Sequence, residues 1–216
     1  MSQTPWQIDG SADARCTLVL AHGAGQDMRS AFLDTIAAAL FADGLRVIRF
    51  RFPYMAQMAA GAARRPPDPQ AVLLAAWNRV IDDLLGAGTD PRRLLIGGKS
   101  LGGRMASLVA GPRGVAGLVC LGYPFHPPGR PERLRIEHLR ELSVPTLICQ
   151  GTRDPFGTPG EVAGYALSTM IRLVWIEDGE HSFRPRKGSG RTWEDNLRAA
   201  ASAVADFASA LTRGAP

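Results

Sequence analysis

The chain of 216 residues has no long apolar run, few cysteines and almost no lysine, and each shortage excludes something. No stretch approaches the roughly 18 apolar residues that a membrane-spanning helix needs, so no membrane partner is expected. The three cysteines, Cys16, Cys120 and Cys149, are odd in number and form no C-x-x-C. That argues against a disulfide framework and for buried free thiols in a reducing, cytoplasmic setting. Met1–Gly10 has no basic segment followed by an apolar run, so no secretory signal is expected. Only two of the 25 cationic side chains are lysines, Lys99 and Lys187. The arginines are scattered, with no block of five like charges. A nucleic-acid binder concentrates its charge in a stripe, so the net charge of +5 does not predict a nucleic-acid partner. The four histidines do not group with cysteine or aspartate at metal-ligand spacing, and no metal or cofactor is expected.

What is present is a hydrophobic content of 45%, enough for a packed core. Short apolar runs alternate with longer amphipathic ones. Strands are expected at Cys16–Ala21, Leu45–Phe52, Arg93–Gly97, Val115–Leu121, Thr146–Gln150 and Ile171–Ile176. Helices are expected at Ser30–Asp43, Pro69–Leu85, Ser100–Ala110, Pro131–Leu142 and Thr158–Thr169. The last helix is the clearest, with Trp193, Leu197, Ala200, Val204, Phe207 and Leu211 forming one apolar stripe. Residues 53–69 read as an irregular excursion. Apolar strands alternating with helices predict an α/β fold, a three-layer α/β/α sandwich around a mostly parallel sheet of about six or seven strands. No linker divides residues 1–216, which are expected to form one domain.

The most informative stretch is Leu94 to Arg104. Gly98-Lys99-Ser100-Leu101-Gly102 matches G-x-S-x-G between a strand and a helix. Glycine on both flanks lets a tight turn hold the serine hydroxyl above the sheet. The helix N-terminus offers free N–H groups to a developing oxyanion. Gly98-Lys99-Ser100 also imitates the end of a phosphate-binding loop, but the first glycine of that motif would fall at Arg93 and leaves no room for the loop.

A nucleophilic serine needs a base and an orienting carboxylate, which follow it here in the order acid, then histidine. Of His22, His126, His138 and His181, only His181 follows the last strand. Asp154, in Gly151-Thr152-Arg153-Asp154-Pro155, sits at the end of the preceding strand; Asp178 is the competitor. Leu101 and the loop His22-Gly23-Ala24-Gly25 are the expected sources of oxyanion N–H groups, with Ala24 preferred to Gly23. Tyr54, Met55, Met58, Tyr123, Phe125, Phe156 and Phe183 flank strand ends and are candidates to line an apolar pocket. Lys99, Arg104, Arg153, Arg184, Arg186 and Lys187 lie near the same loops. They could form a positive rim that steers an acidic substrate, or pair with Glu177, Asp178 and Glu180.

Together these residues resemble the α/β-hydrolase superfamily, from about Thr17 to Phe207, and most of all its small lidless branch, which includes dienelactone hydrolase-like proteins. His22–Gly25, Gly97–Arg104, Gln150–Gly157 and His181–Lys187 are similar to a little-characterised branch that also contains a subunit of a chromatin-modifying complex. The resemblance implies a Ser–Asp–His triad at Ser100, Asp154 and His181. It implies a serine hydrolase that transfers the acyl group of a small ester, lactone or thioester to water without a cofactor. Two departures stand out: the N-terminal part is short for the full eight-stranded sheet, and no segment is long enough for a large cap. The site should be open, walled by residues 53–68 and 123–130. The rival expectation is a non-catalytic scaffold on the same fold.

Overall fold

The computed structural model describes residues 6–213. The described residues form seven strands: β1 (Gln7–Asp9), β2 (Thr17–Ala21), β3 (Arg46–Phe50), β4 (Leu94–Lys99), β5 (Gly117–Leu121), β6 (Thr146–Gly151) and β7 (Ile171–Ile176). They make one sheet in the order β1-β3-β2-β4-β5-β6-β7. β1 runs antiparallel to β3, and every other neighbouring pair is parallel. Seven strands agree with the expected six or seven.

Side-chain alternation along the strands builds two apolar layers. Leu18, Leu20, Val47, Leu95, Val119 and Leu147 face α1 (Ala31–Ala42) and α7 (Trp193–Thr212). Val19, Ile48, Ile96, Leu118 and Ile148 face α3 (Gln70–Gly86) and α4 (Leu101–Arg113). Both faces are covered, which is why β2, β4, β5 and β6 are buried along their whole length. The Ser30 hydroxyl caps α1 by accepting from Leu33 N–H, and Thr192 and Asp195 form a reciprocal capping box on α7.

The chain runs from β2 outward to β3, then crosses back to β4 and continues the other way. The strand order reverses between β2 and β4, so the loops after these two strands open side by side at the carboxyl edge of the sheet. Ala21 pairs with Gly98 in the register, which sets the His22–Gly25 loop against the turn at Ser100.

Four expectations need correction. Residues 53–69 are not wholly irregular: Pro53–Ala59 is a helix, α2, with proline in its first turn. Proline is pre-shaped for that position, and the Tyr-Met-Ala-Gln-Met run sustains the helix until the Gly- and Pro-rich stretch that follows. Pro131–Leu142 is helical only at α5 (Glu137–Arg140), and Thr158–Thr169 only at α6 (Pro159–Val162). Each is a single turn, too short to carry the periodic pattern that would delimit it. β1 was not expected, because three residues cannot show an alternation. It is anchored by Arg49, whose buried guanidinium donates to Asp9 (3.0 Å), to Met28 O (3.0 Å) and to Asp34. Among the described residues no helix is long and apolar enough to cross a membrane.

Candidate active site

The chain passes from β4 to α4 through Ser100 alone. Ser100 has φ +50° and ψ −110°, a region that costs a non-glycine residue about 1–3 kcal/mol. The turn packs closely on β2: a Cβ on Gly102 would lie 2.4 Å from Ala21 O, a contact no side chain could make. Glycine there is the condition for bringing the start of α4 against the β2 loop. The tight turn leaves Oγ of Ser100 projecting at the sheet edge.

His181 comes from the loop after β7, and its Nε2 lies 2.9 Å from Ser100 Oγ. Its Nδ1 lies 2.8 Å from Asp154 Oδ2. With Nδ1–H donating to the carboxylate, Nε2 is left to accept the serine proton. Asp154 is fully buried just beyond β6. Its Oδ1 accepts from Phe156 N–H (2.9 Å) and its Oδ2 also accepts from the Gln150 amide (3.0 Å). Burial pushes the His181 imidazole below its ordinary value; the hydrogen bond to Asp154 opposes this and the nearby Lys99 adds to it. The imidazole is therefore neutral and able to act as a base around pH 7.

Asp178, the competing carboxylate, faces away from His181. It accepts from Arg186 N–H and Nε at 2.6 and 2.7 Å, with the Arg153 guanidinium 3.5 Å away. These pairs hold its carboxyl below the ordinary range, the Arg186 hydrogen bonds contributing most.

Residues given no site role from the sequence hold this arrangement. Gln150 accepts from Tyr123 N–H (2.7 Å) and donates to Tyr123 O (3.1 Å) as well as to Asp154. Asn196, buried at the start of α7, donates to Glu177 O (3.1 Å) and Phe183 O (2.8 Å) and so clamps both ends of the His181 loop. Trp193 Nε1 donates to Ser182 O at 2.8 Å. The available signal was a lone amide in an apolar strand or stripe. Gly151 brings the two loops together, since a Cβ there would lie 2.3 Å from Gly179 O.

His22 is structural. Its Nδ1–H donates to Gly23 O (2.9 Å) and its Nε2 accepts from Phe52 N–H (3.1 Å), which ties the β2 loop to the end of β3. Gly23 is buried and Ala24 exposed. Within the described residues the N–H groups of Leu101 and Ala24 have no acceptor.

Most pocket candidates turn out to be core. Tyr54, Met55, Tyr123 and Phe125 are buried in the layer under α3 and α4, and Met58 packs against it. Phe183 lies in the opposite layer, its ring 5.3 Å from that of Phe32. Their apolar area is worth more inside than at an open rim. Phe156 differs: its half-buried ring lies 4.2 Å from the His181 imidazole. Several of the nearby cations are paired or buried, the alternative to a positive rim. Lys99 is buried, Arg153 and Arg186 share Asp178, and Arg184 lies 3.8 Å over the Trp193 ring. A separate open hollow of about 480 Å³, lined by Pro127 and residues 132–135 and 137, shares no residue with this site.

A second serine–histidine pair exists. Ser107 Oγ lies 2.8 Å from His138 Nε2. Ser107 already donates its proton to Arg104 O (2.7 Å), so the imidazole is left to donate to it. Among the described residues no carboxylate bonds to His138 and no set of three His, Cys, Asp or Glu side chains could hold a metal.

The chain matches the alpha/beta hydrolase domain family over residues 14–209. It is similar in structure to a lidless α/β serine hydrolase from Xanthomonas campestris (TM-score 0.67, 21% identity, covering 92% of this chain and 86% of that one). It is similar also to a dienelactone hydrolase from Anabaena variabilis (TM-score 0.67, 22% identity, 94% and 89%). An α/β serine hydrolase homologue from Coxiella burnetii aligns at TM-score 0.66 and 19% identity, over 98% and 91%. The chain thus belongs to the alpha/beta hydrolase domain family, and its fold is similar to those of a lidless serine hydrolase and a dienelactone hydrolase.

Proposed function

We propose that the chain is a serine hydrolase that cleaves a small carboxylic ester, lactone or thioester, and that residues 1–216 act as one domain. The observation that carries this is the continuous path from Ser100 Oγ through His181 to the buried Asp154, with spacings of 2.9 and 2.8 Å. Ser100 Oγ bonds to the substrate carbonyl carbon while its proton passes to His181 Nε2. Asp154 holds the imidazole in the right tautomer and stabilises the imidazolium. The N–H groups of Leu101 and Ala24, with Gly23 behind, receive the oxyanion. The intermediate collapses as its bond to the leaving oxygen or sulfur breaks, and that atom takes the proton from His181. Water then attacks the acyl-serine, giving its proton to His181, and the acid leaves as Ser100 regains its hydrogen. A base of this kind contributes about 10²–10⁴-fold and each oxyanion donor about 10²–10³-fold.

The pairing of Arg153 and Arg186 with Asp178 favours a neutral substrate over an acidic one. Phe156, beside His181, is the apolar surface for its acyl or leaving group. The test is incubation with a fluorophosphonate followed by intact-mass measurement. One adduct on the parent protein and none on Ser100→Ala is the expected result. No adduct on either would refute the reading and leave a non-catalytic scaffold.

A further inference from the structure

The residue next to the serine carries a charge that the acyl-transfer scheme leaves idle. Lys99 ends β4, and its side chain turns inward to the layer under α1. A Cβ built on Gly23 would lie 3.4 Å from Lys99 Cγ, and the Nζ lies 5.5 Å from the centre of the Phe32 ring. The tip reaches the far side of the histidine. The point where Gly122 would carry a Cβ is 2.9 Å from Lys99 Nζ, 2.9 Å from His181 O and 3.4 Å from His181 Nδ1. Lys99 is 2% exposed, and its Nζ has no hydrogen-bond partner among the described residues.

An ammonium has three donors and is costly to bury unpaired. The charged groups that face it are Asp154 from the β6 loop and Glu180 from the loop that carries His181. Both are committed elsewhere. Asp154 accepts from Phe156, Gln150 and His181, and Glu180 Oε1 accepts from Ser182 and Arg184 N–H. α1 brings the Phe32 ring to it, and the β2 loop brings Gly23, with the uncharged Gln26 amide beside that glycine. The charge is therefore not cancelled by a partner of its own, and the imidazole is the titrating group beside it.

We propose that Lys99 is a positioning residue whose buried positive charge, set behind the Asp154–His181 pair, disfavours the imidazolium and keeps His181 a working base at lower pH. This deepens the serine-hydrolase reading and rests on it for its catalytic meaning. The charge acts through His181 and touches no reacting atom. The direction of the His181 shift agrees, with Lys99 one of the causes that lower it.

The experiment is the second-order rate of fluorophosphonate labelling as a function of pH, for the parent, Lys99→Met and Lys187→Met. Lys187 is the exposed lysine and controls for the loss of one charge. The acidic midpoint should move up by about one to two pH units in Lys99→Met, the size expected for one charge at this range in a partly screened interior. It should not move in Lys187→Met. An unchanged midpoint in a folded Lys99→Met protein would overturn the proposal. If that variant does not accumulate, Lys99→Gln supplies the neutral side chain and is read in the same way. The His181 ring-proton titration by NMR decides the lysine's effect without any activity. A parent protein that takes no label at any pH refutes the hydrolase reading, while an NMR midpoint that is equal in parent and variant refutes the role of Lys99.

Discussion

Two serine–histidine pairs lie on the two ends of the first turns of α4, and their Oγ–Nε2 separations are nearly equal, 2.9 Å for Ser100–His181 and 2.8 Å for Ser107–His138. Distance does not tell them apart; what surrounds them does. Ser100 sits in a strained turn at the sheet edge and is half-buried. Ser107 is buried in the helix, with its proton given to the backbone one turn earlier. His181 rests on a buried carboxylate, whereas His138 has near it the Tyr123 hydroxyl at 3.4 Å. Burial lowers both imidazoles, aided in each case by a neighbouring cation, Lys99 for His181 and Arg104 for His138. Only one pair has an acid to orient the ring and a free serine proton to accept. The same two kinds of side chain form a chain to a buried carboxylate in one place and a packing contact in the other.

The largest test of that contrast removes the orienting acid. Asp154→Asn should keep the hydrogen bond from Phe156 N–H but present an amide to His181, favouring the wrong tautomer. Labelling or ester turnover should fall about 10⁴-fold, with a stability cost of about 1–3 kcal/mol because the buried Gln150 amide loses its acceptor. A loss of less than tenfold would mean that another group orients the ring.

A second test asks what the buried charge costs the fold. Burial pushes the Lys99 ammonium from 10.5 down to about 8. Between these values the unfolded chain binds a proton that the native state does not, so stability rises with pH across that window. Below about pH 8 the charged lysine is a burden. Lys99→Met should be more stable than the parent at pH 7, by up to about 3 kcal/mol, and the gap should close as pH rises from about 8 to about 10.5. Urea unfolding at pH 7 and pH 10 measures both; a gap that stays constant with pH would rule out charge as its cause.

The smallest effect belongs to the other serine. Ser107→Ala removes the hydrogen bonds to Arg104 O and His138. It should cost about 1–2 kcal/mol of stability and leave the labelling rate within about twofold. If labelling is lost, the distinction between the two pairs fails.

Much of this is legible in the sequence. The G-x-S-x-G between an apolar run and an amphipathic one announces the turn at Ser100. The order of Asp154 and His181 along the chain puts each at the end of a strand. The stripe from Trp193 to Leu211 delimits α7 to within a residue. These are local signals: side-chain periodicity and backbone freedom depend on the near sequence. The short elements were not legible, because α5, α6 and β1 span four, four and three residues, less than one period of any pattern. The supporting amides, Gln150 and Asn196, were hidden for another reason. A single polar residue in an apolar run reads as an exception until its partners, 27 or 13 residues away, are brought to it.

The sequence by itself therefore determined the class of fold, the strained serine turn and the chain order of the residues that meet there. Only the tertiary structure decided which of two aspartates faces His181, which aromatic rings are core and which one borders the site, and that Lys99 is interior. The reason is physical. Propensity and pattern act along the chain over a few residues, but burial, pairing and the field at an imidazole depend on groups that come together only when β4, β6 and the loop after β7 share one edge of the sheet.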